Sequence, residues 1–256
     1  MTSTTQPARA RPEVPWAPLL MAVGATLIGA GGLLLAGHIT IWSVLAAMVV
    51  VLIGCALIAV HRRESRLGWA NGVTLARLVG VSWIAAITGS WLSVRPTRAG
   101  TAVLIVVAVL CLVLDGIDGK VARARSEASD FGARFDMETD AAMIMVLCLA
   151  VALQGGVGWW VVVIGLARYA YWLASLHVPA LNLPVAPSLL RKVVAVSQSA
   201  ALLICLAMGL SGRAPGWLPS AIAGVALAGL IWSFVSVTVW QLRAARSADP
   251  ARPGAS

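Results

Sequence analysis

Charge is scarce in this chain of 256 residues: Asp, Glu, Lys and Arg together make up 11%, against 60% apolar residues. Soluble domains carry about 25% charged residues. The composition therefore excludes a water-soluble globular protein and indicates an integral membrane one. Acidic residues are the scarcer sign, ten against nineteen basic ones, for a net charge of +9. That excess would suit nucleic acid, but the basic residues are spread over loops, with no soluble domain to gather them into a binding face, so nucleic acid is excluded as a partner. The four cysteines, Cys55, Cys111, Cys148 and Cys205, lie singly within apolar runs. Such spacing excludes a disulfide framework or thiolate metal site and leaves them as small hydrophobes. His38 has no ligand-type partner near it in sequence and reads as an interfacial loop residue.

Long apolar runs supply the fold class. Runs of roughly 20 residues, the length that crosses a bilayer core as helix, occur near 16–37, 39–60, 72–93, 99–121, 137–155, 156–176, 190–211 and 216–241. An all-α integral membrane protein of about eight transmembrane helices is expected. Polar segments 1–15 and 243–256 read as disordered tails, and the first apolar run is too long for a signal-peptide core of about 7–15 residues, so it reads as an uncleaved helix. With the N-terminus cytoplasmic, fourteen Lys and Arg fall in cytoplasmic tails and loops, three (Arg95, Arg98, Arg213) fall outside, and Arg77 and Arg168 lie within helices. The positive-inside rule is then satisfied, with both termini cytoplasmic and the chain multi-pass in a plasma or inner membrane.

The few acidic residues are concentrated: seven of the ten lie between Asp115 and Asp140, flanked by apolar sequence. On helices, Asp115 and Asp118 are spaced i, i+3 and Asp136 and Asp140 are spaced i, i+4, so each pair shares one face. Four carboxylates brought together repel unless a cation offsets them. Hard oxygen ligands beside a phosphate favour Mg²⁺ or Mn²⁺. Gly119 and Ala122 leave room for close approach, and Arg123 offers a planar fork of donors to a phosphate. Asn71, Thr74 and Arg77, spaced i, i+3, i+6, line one stripe at the start of the third run, and a guanidinium there needs a partner or a polar cavity, for which the Asp cluster or a bound phosphate is the obvious candidate. The stretch from Lys120 to Phe135 reads as a basic connection between the helices that carry the Asp pairs.

Asp115-x-x-Asp118-Gly119-x-x-Ala122-Arg123, eight residues, then Gly132-x-x-x-Asp136-x-x-x-Asp140 resembles, at every fixed position and spacing, the signature of the CDP-alcohol phosphotransferases, also called CDP-alcohol phosphatidyltransferases. Asn71-x-x-Thr74-x-x-Arg77 resembles the start of that family's first core helix. The resemblance implies a six-helix core over residues 70–242, preceded by a transmembrane hairpin at 16–61 that lies outside it and either enlarges a dimer interface or covers its outside. It implies a membrane enzyme that displaces CMP from a CDP-linked lipid, such as CDP-diacylglycerol, with an alcohol, in phospholipid biosynthesis. Two divalent ions would be held by Asp115, Asp118, Asp136 and Asp140, with Asp140 as general base. Asn71, Thr74, Arg77, Gly119, Ala122, Arg123 and Gly132 would meet the CDP donor, and a homodimer is implied.

The signature does not specify the acceptor. A lone Arg168 in the sixth run, with Arg134 and Arg191 near the same membrane face, points to a phosphorylated polyol such as inositol phosphate or glycerol phosphate. A second reading of the aspartates, as the transit site of a divalent-cation transporter, leaves Gly119, Ala122 and Arg123 without a role.

Overall fold

The computed structural model of the protein describes residues 16–35, 40–61, 69–125, 130–183, 189–212 and 214–247. Eight α-helices account for most of them, with no strand among the described residues: α1 (Trp16–Leu35), α2 (Ile41–His61), α3 (Trp69–Ser90), α4 (Arg98–Arg125), α5 (Asp130–Gln154), α6 (Val162–His177), α7 (Leu189–Ser211) and α8 (Trp217–Ser247). The tail expected at 1–15 lies outside the described residues, and α8 continues to Ser247, past Gln241 where the apolar pattern ends.

Among the described residues, five helices hold spans long and apolar enough to cross a membrane: 72–90, 98–116, 159–177, 193–211 and 217–245. Helices α1 and α2, of 20 and 21 residues, contain shorter apolar stretches at Leu20–Gly29 and Ser43–Leu52 among their described residues. Carboxylates interrupt the apolar pattern of α5. With its 28 residues, α4 is about 42 Å long at 1.5 Å per residue, more than the ~30 Å of a hydrocarbon core. Its apolar span stops at Gly116, so the signature from Asp118 onward rides on a helical extension. The basic connection expected over 120–135 is accordingly much shorter: α4 runs to Arg125 and α5 begins at Asp130. Helix propensity of the Ala- and Arg-rich segment prevails over its polarity.

Helix α5 ends at Gly155, whose φ of 85° is the left-handed geometry that closes a helix and that glycine adopts without penalty. A 3₁₀ turn, Trp159–Val161, then leads into α6, and Pro179 opens another, Pro179–Asn182, after it.

Helix α3 is the axis of the bundle, packed against α1, α2, α4 and α5. Its buried span contrasts with α6 and α8, whose outer faces present Trp172, Val225, Trp232 and Trp240. The main apolar core joins Val81, Ile84 and Ile87 of α3 to Leu104 and Ala108 of α4, Met143 and Leu147 of α5, and Leu202 and Leu206 of α7. A second cluster joins Ala22 of α1, Val51 and Cys55 of α2, Leu75, Leu78 and Val79 of α3, and Phe135 of α5. The N-terminal hairpin thus packs on the helix that carries Arg77 and on the residue next to Asp136. Gly80 of α3 lets α4 approach closely, since a Cβ there would meet Cys111 Sγ at 2.5 Å. That contact draws the start of the signature on α4 toward α3.

Candidate active site

Where α3, α4 and α5 meet, below the main core, three carboxylates converge on one guanidinium. Arg77 Nη1 lies 2.8 Å from Asp115 Oδ1. The same nitrogen bonds Asp136 Oδ1, and Nη2 bonds Asp140 Oδ1. Position along the helices explains the convergence: Asp136 and Asp140 stand one turn apart on α5, Asp115 stands at the end of the apolar span of α4, and Arg77 lies two turns into α3. One carboxylate oxygen from each of Asp115, Asp136 and Asp140 can be chosen so that all three lie within 4.8 Å of one another, close enough to share a metal ion.

The burial is lopsided. The Arg77 side chain is 1% exposed, whereas Asp115, Asp136 and Asp140 are 33%, 37% and 40% exposed. The arginine reaches the cluster from the closed interior, and the carboxylates open outward. Thr74, one turn before Arg77, is buried.

Other residues expected at the site divide into three groups. The backbone of Asp118, Gly119, Ala122 and Arg123 is helical on α4, but their side chains lie outside the described ones, as do those of Asn71 and Arg191. Gly132 stands one turn before Asp136 on α5, and Arg134 is exposed. Arg168 of α6 points to α5, where Nη2 lies 2.5 Å from Oε1 of Glu138.

Glu138 was not singled out by the signature, although it stands between Asp136 and Asp140. Two residues from each ligand candidate, it projects to a different side of α5. The sequence signal for it was the isolated Arg168, which had to find an anion. A second polar contact was equally hidden: Gln241 of α8, 2% exposed, donates to the carbonyls of Leu181 and Leu183 at 2.9 and 3.0 Å, and Tyr171 of α6 donates to Gln241 Oε1 at 2.7 Å. This network fastens the segment after α6 to the end of α8.

The sequence profile of the CDP-alcohol phosphatidyltransferase family matches residues 67–240, more than half of the chain. The chain belongs to this family. No curated protein and no solved structure matches it. CDP-alcohol phosphatidyltransferases are phosphotransferases for substituted phosphate groups, which move a phosphatidyl group from a CDP-alcohol to an acceptor and use divalent metal. The matched region begins just before α3 and ends in α8, so it contains every residue of the carboxylate cluster and leaves the α1–α2 hairpin outside. The donor set of the cluster, carboxylate oxygens alone, is of the hard type that suits Mg²⁺ or Mn²⁺.

Proposed function

We propose that this CDP-alcohol phosphatidyltransferase takes a CDP-linked lipid, CDP-diacylglycerol foremost, and joins its phosphatidyl group to a phosphorylated polyol in phospholipid synthesis. The observation that carries the reading is the convergence of Asp115, Asp136 and Asp140 in a chain with the full signature. Asp118, one turn along α4 from Asp115, completes a set of four carboxylates that would hold two divalent ions, Mg²⁺ or Mn²⁺. Such ions, when bound, neutralise the donor's diphosphate and the charge that builds on the transferring phosphorus.

Asp140 is assigned the base. Its carboxylate takes the proton of the acceptor hydroxyl, the freed oxygen bonds to the donor's β-phosphorus, and the bond from that phosphorus to the CMP oxygen breaks. Asn71, Thr74 and Arg77 on α3, with Gly119, Ala122, Arg123 and Gly132, are assigned to the CDP donor. The two glycines and Ala122 present no bulk, and the arginines offer forks that fit phosphate.

For the acceptor, Arg134, Arg168 and Arg191 are assigned to a phosphate distinct from the diphosphate. Arg134 is exposed on the outward side of α5, and Arg168 already holds a carboxylate, so an incoming phosphate would replace Glu138 on a fork suited to either anion. The distribution of Lys and Arg supports a cytoplasmic site, reached by a cytosolic acceptor, and the family relationship supports a homodimer. Cation transport is not favoured: it leaves Gly119, Ala122 and Arg123 of the signature without a role.

The test is CMP release by purified protein from CDP-diacylglycerol with Mg²⁺, using inositol phosphate, glycerol phosphate, inositol and serine in turn. Release that depends on metal and on a phosphorylated polyol is expected. Turnover with serine and none with either polyol phosphate rejects the acceptor assignment. Absence of CMP release with every acceptor rejects CDP-diacylglycerol as donor.

A further inference from the structure

Arg77 has a second relationship to the carboxylates beyond donor binding. Its two terminal nitrogens together hold Oδ1 of Asp115, Asp136 and Asp140, the three residues whose oxygens gather within 4.8 Å. A guanidinium and a divalent ion placed in one such cluster repel each other, so each weakens the other's hold on the carboxylates. The burial differs: the arginine is sealed inside at 1% exposure, while every carboxylate is about one-third exposed or more. An ion can therefore enter without passing the arginine, but it cannot gather the three oxygens without competing for them.

We infer that Arg77 is an internal counter-ion that competes with the divalent metal for Asp115, Asp136 and Asp140 and yields them when a CDP-alcohol arrives, its fork passing from carboxylate to diphosphate. The inference rests on the reading of these aspartates as metal ligands. Three carboxylates with no cation would push apart, and Arg77 prevents this by cancelling one of the three charges. The negative charge left over still attracts a divalent ion. A planar fork pairs with a carboxylate and with a phosphate in the same two-point manner, so the exchange conserves its hydrogen bonds. Metal and donor then bind with positive coupling: the diphosphate occupies the arginine, and the carboxylates are released to the metal. Because Asp140 is among the released groups, its carboxylate is freed from its guanidinium partner only when the donor is in place.

The experiment measures Mn²⁺ binding to the full-length protein in detergent micelles by electron paramagnetic resonance, with and without CDP-diacylglycerol, for the unaltered chain and for Arg77→Gln. Donor should raise the Mn²⁺ affinity of the unaltered protein by about tenfold, within the usual range of coupling between sites. Arg77→Gln should bind Mn²⁺ more tightly without donor by a similar factor, and donor should add little. An Arg77→Gln protein that binds Mn²⁺ no more tightly than the unaltered chain, or that keeps the full gain from donor, overturns the inference.

If Arg77→Gln does not fold, ¹⁵N-arginine spectra of the unaltered protein decide. The Arg77 guanidinium signals must shift when Mg²⁺ and CDP-diacylglycerol are added together, and unchanged signals overturn the proposal. Asp136→Ala tests the underlying reading separately: undiminished Mn²⁺ binding there would show that the aspartates are not the ligands, whatever Arg77 does.

Discussion

Arg77 on α3 and Arg168 on α6 both interrupt apolar helices, yet one is sealed among three carboxylates at 1% exposure and the other meets a single glutamate at 37% exposure. An arginine at the centre of a membrane helix costs about 2.5–3.5 kcal/mol or more, and the two sites meet that cost differently. Around Arg77 the offset is electrostatic, because the carboxylates could not stay together without it. Around Arg168 the side chain reaches a partly open surface and its partner is itself 45% exposed, so water shares the task. Burial, not the mere presence of an intramembrane charge, separates an arginine on which a charge cluster depends from one whose charge is shared with water.

The sharpest contrast compares neighbours on α5. Asp136 belongs to the Arg77 cluster and Glu138, two residues on, to the Arg168 pair. Asp136→Ala should lower CMP release by about 10²–10³-fold or more, the scale of removing a group that stabilises transition-state charge, whereas Glu138→Ala should change it less than about tenfold by the same measure. Equal losses in steady-state assays would dissolve the distinction between the two clusters.

Stability separates the arginines next. Taking one partner from a buried charge cluster costs about 3–5 kcal/mol, so Arg77→Leu should lower the thermal midpoint of the metal-free protein markedly. Arg168→Leu should cost no more than about 1 kcal/mol, as for exposed ion pairs. Thermal unfolding of the two variants without metal checks this ranking, and a reversal would mean that Arg77 is not the counter-ion of its cluster.

How much of this was legible in the residues follows the same division. Asp115, Asp118, Asp136 and Asp140 announce themselves by helical spacing in otherwise apolar sequence, and Arg77 by its isolation, because a charge in a membrane helix has few physical excuses. The eight helices were legible from run length, although the ends of α4 and α5 were not: the apolar pattern stops, while backbone hydrogen bonding continues the helix through polar sequence. The partner of Arg77 across helices was legible, since the Asp cluster was the obvious anion for it, but other partners across helices were not. Neither the bond from Arg168 to Glu138 nor that from Gln241 to the carbonyls of Leu181 and Leu183 follows from spacing within one helix. Nor did sequence indicate that Phe135 joins the hairpin's cluster, since this depends on how α2 lies against α3 and α5.

A smaller effect tests what docks α6 on α5 beneath the Arg168 pair. A Cβ at Gly165 would meet Met145 Cα at 2.9 Å and Sδ at 3.0 Å, and the first of these is backbone that cannot rotate away. Gly165→Ala should therefore cost about 1–3 kcal/mol by overpacking, more than the loss of Arg168 itself. Chemical or thermal unfolding beside Arg168→Leu measures the order. An ion pair that outweighed this contact would make the α5–α6 junction electrostatic, like the Arg77 cluster.

The smallest expected effect is the coupling of Arg168 with Glu138. With both side chains more than one-third exposed, the 2.5 Å contact between them should contribute about 0.2–1 kcal/mol in a double-mutant cycle of Arg168→Leu and Glu138→Gln. Function should be more sensitive than stability if Arg168 is to hold the acceptor's phosphate. Arg168→Leu then loses the acceptor's charge partner and raises KM for the acceptor far more than KM for the CDP donor. Glu138→Gln should act in the opposite direction: it removes the competing carboxylate, leaves Arg168 in place, and lowers the acceptor KM. Steady-state kinetics with each substrate varied in turn distinguishes the outcomes. A rise in acceptor KM for Glu138→Gln, or equal changes in both KM values for Arg168→Leu, would make the pair a clamp between α5 and α6 and not a phosphate site.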